Sequence, residues 1–542
     1  MTTLMPAWII APVVLPLLSA ALLLLVSEKR RRLRSLINVV ATAAGLVVAA
    51  LLLREVDTGG VGVYLASNWE APFGIVLVAD RLSALMLVLV GLVSTGAALY
   101  AEAQWSRAGA YFHPLFQMQL LGLNGAFLTG DLFNLFVFFE VLLAASYGLQ
   151  LHGSGWLRVR SGMHYIAVNL LASSLLLIGL AVLYGVMGTL SMADLANKVP
   201  LVPASDRGLL HASAAILAVA FLIKAAVWPL NAWLVPAYTA ASAPAAALFV
   251  LMTKVGFYVI LRLWTLLFSS DAGASADFGS GVLLAGGLLT LAFGTIGLLA
   301  SIRLERIAAF SVVVTSGTLM ASLGMHSTAL VAAALFYLAS ATLSASVLFL
   351  MVELVKRTRA GAKAQRFEQD TTPEEDDNLD DEQLPLIGRV YPISIALLGL
   401  AFMAAALLVA GLPPLSGFLA KVALLSAAVG GEGGVSSYAW ILIALLLLSS
   451  AFSTIALARA GIRHFWSMGG RVAPQLRAAE GGAVVLIIVA SGLLTVFAEP
   501  VVRYTAAAAA SLQTPPLYVQ AVLQARARPG YATPPGEGAA TP

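Results

Sequence analysis

The sequence contains no cysteine among its 542 residues, and only 11% of its residues are charged. The absence of cysteine excludes disulfides, thiolate metal sites and cysteine-ligated iron–sulfur clusters. The sequence also lacks a GxxxxGK[ST] phosphate loop, and no GxGxxG motif follows a strand-like run. No polar stretch between apolar runs is long enough for a soluble nucleotide-binding domain, so that class of enzyme is excluded.

Apolar residues dominate instead. They make up 60% of the chain, and the mean hydropathy is +0.92. Runs of roughly 20 apolar residues, the length that a helix needs to cross a bilayer, recur from one end to the other. We therefore predict an all-α polytopic membrane protein with a single membrane domain.

The apolar runs predict about fourteen transmembrane spans. They lie near residues 7–26, 36–53, 80–100, 113–130, 131–151, 162–188, 209–229, 244–268, 280–300, 307–325, 328–355, 390–429, 439–462 and 480–503.

Lysine and arginine indicate the orientation of these spans, because cytoplasmic loops are enriched in both. With the loop after the first span inside, the inside segments carry 20 of the 31 lysines and arginines and the outside ends carry 8. This bias predicts that both termini face outside.

The order of spans suggests two inverted repeats of five helices, because an odd number of spans turns the second unit over. We expect spans 1 to 3 in residues 1–110, the first repeat (spans 4 to 8) in 111–270, the second (spans 9 to 13) in 271–465 with a cytoplasmic linker at 356–388, span 14 in 466–511 and a disordered tail at 512–542.

Four ionisable residues lie deep within predicted spans: Glu140, Lys224, Lys254 and Lys421. One charge at the centre of a bilayer costs roughly 2.5 to more than 10 kcal/mol. These side chains must therefore pair, contact water or face the protein interior. A static role, in which they only hold helices together, is the alternative to ion transport.

Two of the deep lysines lie next to proline breaks. Pro229 follows Lys224 by five residues, and Pro413 and Pro414 precede Lys421. Proline cannot donate a backbone hydrogen bond, so spans 7 and 12 should be discontinuous. A broken, charged helix at matching positions of inverted repeats indicates an ion path near the midplane of the membrane.

Glu140 and Lys224 have opposite charges and could form a switchable pair. Two unit charges about 4 Å apart attract by about 4 kcal/mol at an effective dielectric constant near 20. Separating the pair would remove that attraction and favour release of the lysine proton.

The sequence resembles the D subunit of Mrp-type multi-subunit cation/proton antiporters, which are related to antiporter-like subunits of respiratory complex I and membrane-bound hydrogenases. The resemblance lies in TGDLFNLFVFFEVLLAASYGL (129–149), IKAAVWPLNAWLVPAYTAASAP (223–244), LMTKVGFYVILR (251–262) and GLPPLSGFLAK (411–421).

This resemblance implies specific roles for the deep charges. Glu140 and Lys224 would form the pair of a first half-channel, Lys254 would relay protons laterally, and Lys421 would end a second half-channel. It further implies Na⁺/H⁺ exchange, partner subunits in one complex, a bacterial inner-membrane location, and no bound cofactor or metal in this subunit.

The chain departs from the family in span 11, where many relatives carry a histidine. Here the stretch is FYLASATLSASVLF (336–349). Either water held by Ser340, Thr342 and Ser344 bridges Lys254 and Lys421, or the half-channel of span 12 has a different role.

Two alternative functions stay open on the sequence alone. The chain could be a proton-pumping subunit of a redox-driven complex, or a non-conducting scaffold. The resemblance implies glutamate at this position in several complex I relatives, so Lys421 favours the antiporter.

Overall fold

The computed structural model describes residues 8–105, 109, 111–369, 393–430, 434–466 and 476–527. These residues are largely helical, and one short antiparallel hairpin connects the second and third helices. The first half contains α1 (Ala11–Leu25), α2 (Arg31–Gly59), β1 (Gly62–Leu65), β2 (Val76–Ala79), α3 (Arg81–Ala103), α4 (Phe112–Leu128), α5 (Leu132–Leu151), α6 (Trp156–Met187), α7 (Met192–Lys198), α8 (Ala204–Lys224), α9 (Leu234–Ala240) and α10 (Ala243–Leu267). The second half contains α11 (Ser280–Ala300), α12 (Leu304–Gly324), α13 (Thr328–Gln369), α14 (Ile393–Ala410), α15 (Ser416–Val429), α16 (Ser437–Gly461), α17 (Ala478–Val496), α18 (Ala498–Leu512) and α19 (Pro515–Leu523).

Within the described residues, twelve helices are long and apolar enough to cross a membrane. Helices suit this environment because they satisfy their backbone hydrogen bonds internally, where no water is available. The predicted all-α polytopic class is therefore confirmed. The inverted repeats and the count of fourteen spans stay predictions.

Three helices form the interior of the bundle. α10, α12 and α13 are buried on all sides over the 18-residue stretch that would cross the membrane. By contrast, α14 and α16 expose large apolar side chains such as Leu397 and Leu447, as expected for helices at the edge of a membrane domain.

The hairpin fixes the start of α5, the helix that carries Glu140. The Gly130 N–H donates to the Val76 carbonyl of β2 at 2.8 Å. The next residue, Asp131, is the N-cap of α5, and its Oδ1 accepts from the Asn134 N–H at 2.9 Å. Such a cap satisfies a backbone N–H that the first helical turn leaves free.

The break in span 7 is confirmed. α8 ends at Lys224, and α9 begins ten residues later at Leu234. Two hydrogen bonds secure the intervening segment: Trp233 Nε1 donates to the Ile223 carbonyl at 3.0 Å, and the Trp228 N–H donates to Thr290 Oγ1 at 2.8 Å.

The break in span 12 is also confirmed. α14 ends at Ala410 and α15 begins at Ser416, with Pro413 and Pro414 between them. Gly411, directly after α14, has φ of 72°, a left-handed conformation that glycine adopts without steric cost.

The predicted disordered tail at 512–542 is wrong for its first part. Residues 515–523 form α19, in which Tyr518, Val519 and Val522 are buried. Pro515 and Pro516, which contributed to the prediction of disorder, lie in the first turn of this helix. Proline is tolerated there because a backbone N–H in the first turn has no acceptor within the helix. Residues 528–542 lie outside the described residues.

Two further boundaries differ from the prediction. α13 continues through residue 369 into the predicted linker 356–388, whose remaining residues lie outside the described part of the chain. The predicted span 480–503 is interrupted at Phe497, which separates α17 from α18.

Candidate functional site

Glu140 lies on α5 nine residues after Asp131, about 14 Å along the helix axis. Its side chain is half-buried, and Oε1 is buried without a hydrogen-bond partner among the described residues. Phe133 and Val137, two turns and one turn earlier on the same face, are exposed by 52% and 41%. The carboxyl group therefore lies at the margin of the chain's own interior.

Lys224 is the last residue of α8 and is buried. Its Nζ donates to Asn169 Oδ1 at 3.3 Å and lies 5.6 Å from the ring centroid of Phe139. The ion pairs of the described residues do not include one between Lys224 and Glu140. The switchable Glu140–Lys224 pair therefore stays a prediction, and in this structure the ammonium group has Asn169 as its hydrogen-bond partner.

Asn169 was not singled out from the sequence. It lies on α6, is 1% exposed, and donates from Nδ2 to the Tyr165 carbonyl at 2.9 Å. Asn169 could have been recognised as the single asparagine in the apolar run of α6, because a buried polar side chain needs a hydrogen-bond partner.

Lys254 lies in the middle of α10, and only 1% of the residue is exposed. Its Nζ has no hydrogen-bond partner among the described residues. An isolated buried ammonium group is costly, and losing its proton or binding water relieves that cost.

Lys421 lies on α15 with its ammonium group at the break between α14 and α15. Nζ donates to the Ala410 carbonyl at 2.9 Å and to Ser450 Oγ at 2.7 Å. The last carbonyls of a helix have no donor within the helix, and the break places one of them beside the lysine. This contact explains why a deep lysine and a broken helix occur together.

A small cavity adjoins Lys421. Its volume is about 20 Å³, enough for about one water molecule. Hydroxyl groups from several helices line it, on Ser311, Thr315, Ser340, Ser344 and Ser453.

Two of the three predicted bridging hydroxyls reach this cavity. Ser340 and Ser344 line it, and Ser340 Oγ is 2.9 Å from Ser416 Oγ. Thr342 does not line it; its Oγ1 donates to the Leu338 carbonyl at 2.6 Å.

Gly411 is packed directly against Lys421. A Cβ at this position would lie 2.6 Å from Lys421 Cδ. Both its left-handed backbone and this close approach require glycine.

A buried ion pair distant from these lysines was also missed. Arg262, at the C-terminal end of α10, contacts both carboxylate oxygens of Asp80 at 2.5 and 2.7 Å. Burial disfavours the ionised carboxyl, but Arg262 outweighs it and holds the pKa of Asp80 below its ordinary value of 3.8. The sequence indicates Asp80 as a helix N-cap, three residues before Ser83. It does not indicate Arg262 as the ion-pair partner of Asp80.

The described residues contain no group of three or more histidine, aspartate or glutamate side chains that could hold a metal ion. The site contains three buried ammonium groups. Those of Lys224 and Lys421 donate to neutral acceptors, and that of Lys254 has no acceptor among the described residues. Such groups can bind and release protons, because no carboxylate contact fixes their charge.

Known proteins resemble this chain over most of its length. The model of the NADH:quinone oxidoreductase/Mrp antiporter transmembrane family matches residues 129–453. The chain is 47% identical to the D subunit of a probable K⁺/H⁺ antiporter of Rhizobium meliloti, over 97% of this chain and 99% of the relative. It is 34% identical to the D subunit of an Na⁺/H⁺ antiporter of Alkalihalophilus pseudofirmus, over 95% of this chain and 99% of the relative.

Solved structures show the same fold. A chain of the Mrp complex from Dietzia sp. DQ12-45-1b is 28% identical and superposes with a TM-score of 0.79, over 96% of this chain and all of that one. A chain of an archaeal membrane-bound sulfane sulfur reductase is 24% identical, with a TM-score of 0.81 over 95% of this chain and 99% of that one.

Proposed function

The chain belongs to the NADH:quinone oxidoreductase/Mrp antiporter family, and from this premise we propose that it is the proton-conducting subunit of a multi-subunit monovalent cation/proton antiporter. Glu140, Lys224, Lys254 and Lys421 form its proton relay. Relatives at high coverage are named for both K⁺ and Na⁺ exchange, and Na⁺ is our first expectation for the cation.

The observation that carries the proposal is the state of the three buried lysines. Lys254 has no partner among the described residues, and Lys224 and Lys421 contact only neutral oxygens. A purely structural lysine would be expected to have a carboxylate partner, since an unpaired buried charge lowers stability. Proton exchange gives a reason for keeping these groups.

In the proposed relay, Glu140 stabilises the charged form of Lys224 when the two approach each other. Separation removes that stabilisation, and the proton passes toward Lys254 and then Lys421. The cavity beside Lys421 supports a water-bridged step at that end, with Ser340 and Ser344 as the bridging hydroxyls. Thr342 does not line this cavity, and its part in the bridge stays a prediction.

The position of Glu140 supports partner subunits. Its helix face also carries the exposed Phe133 and Val137, and a carboxylate facing lipid at this depth would be costly. We therefore place a transmembrane helix from a partner protein of the complex against this face of α5. The complex would reside in a bacterial inner membrane, with both termini of this chain outside.

The test is Glu140→Gln in the complete complex, assayed as cation-dependent collapse of a pH gradient in inverted vesicles. We expect transport to be lost while the complex still assembles. Glu28→Gln, at an exposed loop glutamate, is the matched control and should transport normally. Normal transport by an assembled Glu140→Gln complex would contradict the proposal.

A purification under mild detergent separates this function from redox-driven pumping. The antiporter assignment requires co-purification with other antiporter subunits. Co-purification with iron–sulfur subunits would instead favour the redox-driven complex.

A further inference from the structure

The hydrogen bond between Lys224 and Asn169 joins α8 to α6 inside the bundle. Both side chains are buried, with 6% and 1% of each residue exposed. Nζ of Lys224 therefore has a defined partner that differs from the one the charge pattern of the sequence suggests.

The amide of Asn169 is fixed in orientation. Its Nδ2 donates to the Tyr165 carbonyl at 2.9 Å, which leaves Oδ1 as the acceptor for Lys224. Tyr165 is itself held, because its hydroxyl is 2.7 Å from Ser146 Oγ. Asn169 thus offers a preformed acceptor rather than a side chain that must reorganise.

The helices around Lys224 carry other titratable groups. The titratable side chains on the surrounding helices, besides Lys224, are Glu140 and Tyr147 on α5, Arg158, Arg160, His164, Tyr165 and Tyr184 on α6, Asp206, Arg207 and His211 on α8, and Lys254, Tyr258 and Arg262 on α10. Among these, the carboxylate of Glu140 is the electrostatic partner of Lys224. The ring of Phe139 and the C-terminal end of α8 add weaker, fixed attractions for a cation.

An amide oxygen and a carboxylate differ in how they treat a lysine. Both accept a hydrogen bond, but only the carboxylate adds a full opposite charge that favours the ammonium form. A lysine that moves from Glu140 to Asn169 keeps a hydrogen bond and loses that charge. The move therefore favours release of the proton without leaving Nζ unsatisfied.

We propose that Asn169 is a positioning residue that provides the second resting place of Lys224, the one from which the lysine releases its proton. This inference rests on the proposed function and assigns the described structure to the state in which Lys224 is separated from Glu140. Asn169 acts through Lys224 and does not itself carry the proton.

The experiment compares Asn169→Leu and Asn169→Asp in the complete complex, with cation-dependent pH-gradient collapse measured across a range of pH. Asn169→Leu removes the acceptor, and we expect transport to fall about tenfold or more, as for the loss of a hydrogen bond to a charged group. Asn169→Asp is nearly isosteric but adds a charge beside Lys224. We expect its pH profile to move upward by about one unit or more, because the ammonium group keeps its proton longer.

Ser173→Ala is the control, since Ser173 lies one turn away on α6 and its buried hydroxyl has no hydrogen-bond partner in the described residues. It should change neither rate nor pH profile. If Glu140→Gln abolishes transport while both Asn169 variants keep the wild-type rate and profile, the inference is overturned and the proposed function stands. If Glu140→Gln itself transports normally, the proposed function fails. Should Asn169→Leu not assemble, an unshifted profile in Asn169→Asp is enough to overturn the role of Asn169.

Discussion

At the scale of single residues, the three buried lysines differ in the acceptors of their hydrogen bonds. Lys224 donates to an amide, Lys421 to a helix-terminal carbonyl and a hydroxyl, and Lys254 to no described group. None contacts a carboxylate among the described residues. Lys224 and Lys421 thus have neutral acceptors and no opposite charge in contact, whereas Lys254 has neither among the described residues.

Gly411→Ala tests the contact between the break and Lys421. The new methyl group would lie 2.6 Å from Lys421 Cδ at a residue with φ of 72°. We expect the left-handed backbone to cost about 1 kcal/mol of stability and the contact to displace the lysine and reduce transport severalfold or more. The measurements are thermal unfolding of the purified complex and pH-gradient collapse in vesicles.

Gly188→Ala separates the two effects. Gly188 has φ of 67°, but nothing lies within 4 Å of its added Cβ. It should lose similar stability and keep transport. Equal transport in the two variants would show that Gly411 matters for the backbone alone.

At the scale of elements, a side chain donates a hydrogen bond to a carbonyl at the end of each broken helix. Trp233 Nε1 donates to Ile223 at the end of α8, and Lys421 donates to Ala410 at the end of α14. Unwound backbone within a membrane is stable only with such partners or water. The breaks are therefore defined structures that position Lys224 and Lys421.

Trp233→Phe tests the first break. It keeps most of the buried ring but removes one of the donors to the Ile223 carbonyl, which still accepts from the Ala226 N–H at 3.1 Å, so the loss of one hydrogen bond should cost about 0.5 to 1.5 kcal/mol. Because Ile223 adjoins Lys224, we expect both the unfolding temperature and the transport rate to fall.

The matched control is Trp264→Phe. Trp264 lies on α10, ten residues after Lys254, and its Nε1 donates to the Phe278 carbonyl at 2.7 Å. It should lose comparable stability with little loss of transport per assembled complex. A Trp233→Phe complex with normal transport would argue against a role for the break in positioning Lys224.

At the scale of the whole molecule, distant parts of the chain meet at the Asp80–Arg262 pair. Asp80 caps α3, and Arg262 lies 182 residues later near the end of α10. The ring of Tyr518, on α19, lies 5.1 Å from the Arg262 guanidinium carbon. The C-terminal segment thus closes over a pair that joins two helices of the first half.

Asp80→Asn should weaken this junction. Removing one partner of a buried ion pair leaves the other charge unpaired, at a cost of about 3 kcal/mol or more in the free energy of unfolding. Asp57→Asn, at the more exposed pair with Arg81, should cost less than about 1 kcal/mol. Thermal unfolding of the purified complex measures both.

The pH dependence of the same pair has a defined sign. Because the pKa of Asp80 is held below its ordinary value of 3.8, the pair contributes fully at neutral pH and is lost as the pH falls through the lowered pKa. The stability difference between wild type and Asp80→Asn should therefore shrink in acid. A difference that is constant across this range would contradict the ionised pair.

The all-α membrane class, the two helix breaks and the deep charges could be recognised from the sequence alone. These properties are local, because hydropathy decides where a span lies and proline decides where a helix must end. Glu140, Lys224, Lys254 and Lys421 could be recognised without any structure, since charge within an apolar run is visible in the sequence alone. The tail was misjudged because composition does not reveal that Tyr518 is buried.

Only the tertiary structure decided which groups these charges contact. Asn169 lies 55 residues from Lys224, and Ser450 lies 29 residues from Lys421. Which polar atoms meet depends on how several apolar helices pack and rotate, and many rotations bury apolar surface almost equally well. The sequence therefore identified the deep lysines as residues that must find partners, and the packing of the bundle brought a neutral amide to Lys224 and a carbonyl and a hydroxyl to Lys421.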